Sequence, residues 1–353
     1  MAELNLLEAI NRALDEAMAA DDRVYVIGED VGVRGGVFRV TDGLHAKYGE
    51  KRVIDAPLAE SIIIGSSIGA ALYGMRPVAE IQFADFIFPA FNQIISEAAR
   101  MRYRSNNAWE VPMVIRTPYG GGIHGALYHS QSIEAFFTHI PGLKVVAPST
   151  PYDAKALLLA SIADPDPVLF LEHKKCYRLI KGFVPDEAYT VPIGVADVAR
   201  EGSDVSVITY GLMRHYAVEA AEMLAAEDIS VEVIDLRTLR PLDRETVLAS
   251  VRKTNKVLVL YEDNLFGGYG AEVAASVTAL KGLHTDGSLR AILVQAQVVV
   301  GATPVPAELW LGTSSSVPRL QTRAPESSPI GSGKKSSARA FSSWATGWLV
   351  GVR

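Results

Sequence analysis

An alternating α/β architecture, with a mostly parallel sheet in each of two domains, is the fold class that the sequence predicts. Three observations carry it. From Arg23 to about His173, short apolar runs rich in β-branched residues alternate with longer segments of helical period, and Gly or Pro marks the junctions. The runs are apolar almost throughout, as strands buried on both faces under helices must be. The 353 residues suffice for two domains, each with its own core.

The stretch from Met1 to Ala20 alternates acidic and apolar residues as an amphipathic helix does, and it lacks the basic start and long apolar run of an export signal. Strands are predicted at Val24–Gly28, Val53–Ala56, Val78–Phe83, Val111–Thr117, Leu143–Ala147 and Val168–Glu172. Helices are predicted between them at Ser61–Tyr73, Pro89–Arg104, Ser132–Thr138 and Tyr152–Ala163. In the second of these, Phe91, Ile94, Ile95 and Ala98 recur at helical spacing behind Pro89, which stands where a first-turn proline is tolerated. Residues 174–203, with Lys174, Lys175, Gly182, Pro185, Pro192 and Gly202, read as a connection, so that domain one covers 1–180 and a linker 181–203. Strands Val205–Tyr210, Ser230–Asp235 and Lys256–Glu262 then alternate with helices Ala217–Ala226, Arg244–Arg252 and Tyr269–Ala279, a smaller domain over 204–280. Residues 281–353 read as a divergent, disordered tail, because 312–343 are rich in Ser, Gly, Pro, Arg and Ala without a period.

The net charge is -6, yet residues 281–353 hold eight Lys/Arg against three Asp/Glu, so the main body is acidic and nucleic acid is not an expected partner. One cysteine, Cys176, excludes an internal disulfide framework and any Cys-rich zinc site, which suits a reducing compartment. The most apolar stretches are too short and mixed to span the roughly 30 Å of a bilayer. A cytoplasmic protein, not in a membrane, is the expectation.

Ligands of open parallel sheets bind beyond the carboxyl ends of the strands. There the sequence places Glu60 after the second strand, Phe86 after the third, and a loop of glycines (Gly120, Gly121, Gly122, Gly125) ending in Tyr128-His129-Ser130-Gln131 after the fourth. Each has two readings. Glu60 either favours a helix dipole or meets a ligand; Phe86 is either core or a wall of the site; His129 either caps a helix or exchanges protons. Convergence of all three on one edge favours the functional reading. Gly65 and Gly69, one turn apart in a helix, either admit a close neighbour or leave slack beside a pocket. The chain has no Walker-type loop, no dinucleotide fingerprint after its first strand and no His-Glu-x-x-His helix, and Gly32, Gly35 and Gly36 read as shaping a turn.

A set of ordered blocks resembles the beta subunits of thiamine-diphosphate-dependent 2-oxo acid dehydrogenases. They include Gly28-Glu29-Asp30-Val31-Gly32, Pro57-Leu58-Ala59-Glu60, Glu80-Ile81-Gln82-Phe83-Ala84-Asp85-Phe86, Arg102-Tyr103-Arg104-Ser105, Pro141-Gly142-Leu143-Lys144 and Asp235-Leu236-Arg237-Thr238-Leu239. The block His124-Gly125-Ala126-Leu127-Tyr128-His129-Ser130-Gln131-Ser132 is more similar to branched-chain members than to pyruvate ones. The resemblance implies a pyrimidine-binding domain followed by a transketolase C-terminal-like domain, in an α2β2 heterotetramer that binds thiamine diphosphate between unlike chains. It implies that the alpha subunit supplies the diphosphate half with its Mg2+; the Gly-Asp-Gly motif of that half is absent here.

By the same resemblance, Glu60 hydrogen-bonds the aminopyrimidine, where a carboxyl that shares a proton activates the coenzyme. Phe86 packs on the pyrimidine, in place of the tyrosine of many branched-chain members, and His129 assists acyl transfer to the lipoyl group of the dihydrolipoyl acyltransferase core. A structural potassium ion (K+), held largely through backbone oxygens, is implied at Val111, Met113, Val114, Ser161, Asp164 and Asp166. The implied reaction is oxidative decarboxylation of branched-chain 2-oxo acids with reductive acylation of lipoyl groups. Pyruvate or acetoin dehydrogenase is the alternative within the class. Past about Leu280 the family pattern fails, like a shifted frame or replaced terminus, and a non-catalytic or unstable product is the alternative outside the class.

Overall fold

The computed structural model describes residues 1–123, 128–279 and 290–293. Strand β1 (Ala2–Asn5) leads into helix α1 (Leu6–Ala20), started by a capping box: Glu8 N–H donates to Asn5 Oδ1 at 2.9 Å and Asn5 N–H to Glu8 Oε2 at 2.8 Å. The apolar face of α1, from Leu6 to Met18, is buried against α6 (Pro151–Ala163).

Among the described residues the first sheet has seven strands. Its parallel members are β2 (Val24–Gly28), β3 (Val53–Asp55), β4 (Arg76–Glu80), β5 (Val114–Tyr119), β6 (Lys144–Val146) and β7 (Val168–His173), in the spatial order β6-β7-β5-β4-β2-β3. Helices α2 (Leu44–Tyr48), α3 (Glu60–Leu72), α4 (Met101–Arg104), α5 (Glu134–Thr138) and α6 lie between them in sequence, and α7 (Cys176–Leu179) follows β7. The expected strands are all present.

The helix expected over Pro89–Arg104 is interrupted. 3-10 turns at Ala84–Phe86 and Phe88–Ala90 precede a π-helical segment at Gln93–Ala98, and α4 follows. Ala99 N–H reaches back five residues to Ile94 O at 3.0 Å, and this wide turn keeps Ile94, Ala98 and Met101 all buried. Among the described residues Gly65 and Gly69 have no close neighbour: a Cβ on Gly69 would meet nothing within 4 Å, and one on Gly65 only Gln93 at 3.9 Å. Ile62, Ser66, Gly69 and Tyr73 leave that face of α3 exposed.

The connection contains β8 (Lys181–Val184), antiparallel to β1, and β9 (Asp197–Arg200). The second sheet contains β10 (Val205–Thr209), β11 (Val231–Asp235), β13 (Lys256–Val259) and β14 (Arg290–Leu293), all parallel, with β9 antiparallel at its edge. Helices α8 (Leu212–Ala225), α9 (Arg244–Thr254) and α10 (Tyr269–Ala279) accompany it. Two features go beyond the sequence reading. Strand β12 (Thr238–Arg240) leaves the second half of the chain and pairs antiparallel with β6, adding the seventh strand to the first sheet. Strand β14 extends the second sheet past residue 280; the rest of the expected tail lies outside the described residues. Among the described residues no helix is long and apolar enough to cross a membrane.

Asp235 ends β11 where the two sheets meet, and its carboxyl is fully buried. Its Oδ1 accepts from Ser149 Oγ at 2.9 Å and from Arg237 N–H at 3.2 Å, while Oδ2 has no hydrogen-bond partner among the described residues. Burial, helped by the nearby Asp153, raises this carboxyl to about 7. The unfolded chain loses the proton near the ordinary value of about 3.9. Between these values the folded chain holds the extra proton, so this group's contribution to stability falls as pH rises through the window. Asp235→Asn should remove that slope. Urea unfolding from pH 4 to pH 8 should show the variant gaining on the wild type by at most about 4 kcal/mol. A difference that stays constant with pH would refute the assignment.

Candidate active site

Because β2, β3, β4, β5 and β7 are parallel, their carboxyl ends share one edge, and the acidic and aromatic residues of the site leave from it. Glu29 directly follows β2. Glu60 is the first residue of α3, half-buried, after the loop from β3. The two acids interact: burial, then the charge of Glu60, then that of Asp30, raises the Glu29 carboxyl above its ordinary value. Glu29 Oε1 is buried and has no hydrogen-bond partner among the described residues. The turn at Gly35 and Gly36, both at positive φ, closes over this side, with Gly36 N–H donating to Asp30 O at 2.8 Å. That is the turn expected of these glycines.

An aromatic wall stands beside the acids. The Phe83 and His129 rings lie 4.6 Å apart, Phe86 and His129 5.5 Å, and Phe83 and Phe86 5.6 Å, each pair edge to face. Gln82, next to Phe83, donates from Nε2 to Glu29 O at 3.3 Å and so joins the wall to the acid pair. The backbone after His129 is held from several sides. Ser130 N–H donates to Asp85 Oδ1 at 3.3 Å, Ser130 Oγ to Ile123 O at 3.1 Å, and Gly120 N–H to Gln131 O at 2.9 Å. The structure therefore brings Phe86 and His129 into contact and sets Glu60 beside Glu29 on the same edge.

Sequence reasoning missed two charged groups here. Glu29 lies in the stretch Gly28-Glu29-Asp30-Val31-Gly32, and its place directly after a central strand is the signal that marks it. Lys174 was read as part of the connection, yet it is buried after β7, with Nζ 5.8 Å from the Phe83 ring centre and no hydrogen-bond partner among the described residues. Burial lowers its ammonium to about 8, against the opposing pull of Asp85, Glu262 and Glu134.

The residues expected to hold potassium lie close together, but their polar atoms are engaged. Val111 O accepts from Met113 N–H at 2.8 Å, Met113 O from Val168 N–H at 3.0 Å, and Ser161 O from Asp164 N–H at 3.3 Å; Val114 begins β5. Asp164 Oδ1 takes the Lys144 ammonium at 2.6 Å and Asp166 Oδ1 the Arg102 guanidinium at 2.5 Å. Both carboxylates are thus already neutralised, so a cation here would draw on the second lone pairs of the backbone oxygens. Among the described residues no group of three or more His, Cys, Asp or Glu is placed to hold a metal.

The two sheets and the acid-and-aromatic edge define a transketolase-type α/β protein. Residues 2–180 match the family described as transketolase, pyrimidine binding domain, and residues 194–311 that described as transketolase, C-terminal domain. A solved structure, the split gene transketolase as an inactive beta4 tetramer, shares this fold with a TM-score of 0.68 at 24% identity, over 87% of this chain and 93% of that one. The sequence is 60% identical over 278 residues to the 2-oxoisovalerate dehydrogenase subunit beta of Bacillus subtilis, covering 79% of this chain and 85% of that protein. It is 52% identical over 286 residues to the pyruvate dehydrogenase E1 component subunit beta of Acholeplasma laidlawii, covering 81% and 88%. The chain belongs to the family of 2-oxo acid dehydrogenase beta subunits.

Proposed function

We propose that this chain, paired with an alpha subunit, oxidatively decarboxylates branched-chain 2-oxo acids with thiamine diphosphate and passes the acyl group to lipoate on an acyltransferase core. The observation that carries the reading is the Glu29–Glu60 acid pair beside the Phe83, Phe86 and His129 rings on one sheet edge. The donor set suits an aminopyrimidine: an orphaned buried carboxylate oxygen on Glu29 and the neighbouring Glu60 can accept from its N–H groups, and the rings offer it an apolar face. When bound, the coenzyme supplies the electron sink for decarboxylation.

The chain's own residues then bind, orient and move protons. Glu60 shares a proton with a ring nitrogen, and beside it burial and the charge of Glu60 raise the Glu29 carboxyl above its ordinary value. Phe86 packs against the ring. His129, carried on the loop after β5, exchanges a proton with the sulfur of the incoming lipoyl group. In this reading Mg2+ belongs to the diphosphate half held by the alpha chain. A structural potassium ion would be held by the backbone oxygens of Val111, Met113, Val114 and Ser161, because Lys144 and Arg102 already neutralise Asp164 and Asp166. The exposed face of α3 around Gly65 and Gly69 is where a partner helix would pack.

Co-expression with an alpha subunit, chromatography and a substrate panel test this. A complex of heterotetramer size that consumes branched-chain 2-oxo acids at least about 10-fold faster than pyruvate, a difference of about 1.4 kcal/mol in transition-state binding, is expected. Preference for pyruvate or acetoin would shift the assignment to those relatives. A chain that stays monomeric or aggregates would favour a non-catalytic or unstable product.

A further inference from the structure

We infer that Glu262, supplied by the C-terminal domain, is a positioning residue for His129 and acts on acyl transfer rather than on decarboxylation. The inference rests on the role for His129 proposed above. Glu262 lies just past β13, is buried, and reaches across to the first domain with both carboxylate oxygens. Its Oε1 accepts from Gly121 N–H, the start of the loop that carries His129. Its Oε2 lies 3.0 Å from His173 Nε2. Lys175 N–H donates to His173 Nδ1 at 3.3 Å, so the ring proton belongs on Nε2 and points at Glu262.

The pair and the loop base are packed without slack. A Cβ on Gly120 would stand 2.3 Å from His173 Nε2, and Gly120 has a φ of +79°, so the chain must leave β5 as a bare backbone over the imidazole. Gly120 N–H in turn donates to Gln131 O, which ties the loop base to the residue two past His129. The carboxylate thus holds the loop base in two ways: it accepts from Gly121 directly, and through His173 it sets the surface on which Gly120 rests. Burial alone would push this carboxyl up, but His173, the Gly121 amide and Lys174 outweigh it and keep it below its ordinary value, in the anionic form that both donors require.

Glu262→Gln is nearly isosteric and can still accept from Gly121, but it turns an amide N–H toward His173 Nε2. His173 cannot accept there without moving its proton to Nδ1, which faces the Lys175 N–H. The loop base must therefore shift. In the alpha–beta holoenzyme, E262Q should slow acylation of a free lipoyl domain by about 10- to 100-fold, as displacements of about 1 Å do. Decarboxylation read with an artificial electron acceptor should fall by less than about 3-fold, since the displaced loop carries no part of the acid pair. A double-mutant cycle separates positioning from general damage: in a His129→Asn background, E262Q should slow acylation by less than about 2-fold further.

Equal loss of both half-reactions, or an undiminished effect in the H129N background, would overturn the inference. If H129N impairs acylation while E262Q leaves it at the wild-type rate, the Glu262 role fails and the His129 role stands. If H129N acylates normally, both fail together. Glu262→Asp, which keeps the charge but draws it away from Gly121, reads the same split should E262Q not assemble.

Discussion

Replacing Glu60 by glutamine is expected to lower decarboxylation by the assembled enzyme by about 10²- to 10⁴-fold, the usual range when a positioned proton-exchanging group is lost. Glutamine keeps the shape and can still accept a hydrogen bond, but it has no proton to share. Glu60 opens α3 half-buried, so the change leaves the core alone, and the thermal midpoint should move little. Removing the negative charge also relieves Glu29, whose carboxyl should then titrate lower, because Glu60 is part of what raises it. Glu29→Gln should therefore cost less than E60Q: it removes a neighbour of the reacting proton and not its carrier. Steady-state decarboxylation by both variants, assayed with the alpha subunit at saturating thiamine diphosphate, checks the ordering. Wild-type turnover by E60Q would remove Glu60 from the chemistry, and a greater loss in E29Q would transfer its role to Glu29.

The order of those effects depends on contacts that the linear chain shows unevenly. The placing of Glu60, Phe86 and His129 was legible because each follows an apolar run, and in a parallel sheet all such positions fall on one edge. Glu29 gained its meaning only when β2 and β3 paired side by side and set it against Glu60. Lys174 and Glu262 were hidden for a related reason, since their partners come from other strands or from the other domain. No local spacing announces a contact such as the one between Gly121 and Glu262.

The strands were read well because β-branched apolar runs are strong signals when both faces are covered. Short edge pieces were not. Strand β12 spans Thr238–Arg240, too few residues for a period to show, and its pairing with β6 is a tertiary choice. Likewise Phe91, Ile94, Ile95 and Ala98 fit an α-helix on paper, and only the packing of Met101 on the same buried side reveals the π turn between them.

Arg116→Met is expected to destabilise the chain by about 3–5 kcal/mol at pH 8, a large share of the roughly 5–15 kcal/mol that holds an ordinary domain folded. Arg116 sits in β5 directly opposite Glu80 of β4, with its side chain only 1% exposed. Its Nη1 donates to Glu80 Oε2 at 2.8 Å, its Nε to Glu172 Oε1 at 2.6 Å and its Nη2 to Glu172 Oε2 at 2.8 Å, while Tyr177 Oη donates to Glu172 Oε2 at 2.5 Å. The two carboxylates raise the Arg116 pKa even though burial opposes this, and burial with the nearby Glu172 holds Glu80 above its ordinary value. Methionine fills much of the volume but strands two buried acids. Without the guanidinium, which opposes the rise caused by burial, the Glu80 carboxyl rises further above its ordinary value, so the stability of the variant falls as pH increases through it. Urea unfolding should therefore show a deficit that is smaller at pH 5.5 than at pH 8. Glu80→Gln and Glu172→Gln added to R116M should remove most of that pH dependence. The consequence reaches the site, because Glu80 ends the strand that leads through Gln82 and Phe83 to Phe86, and β5 leads through Gly120 to His129. A variant within about 1 kcal/mol of wild type at pH 8 would mean that water, and not the guanidinium, satisfies these carboxylates.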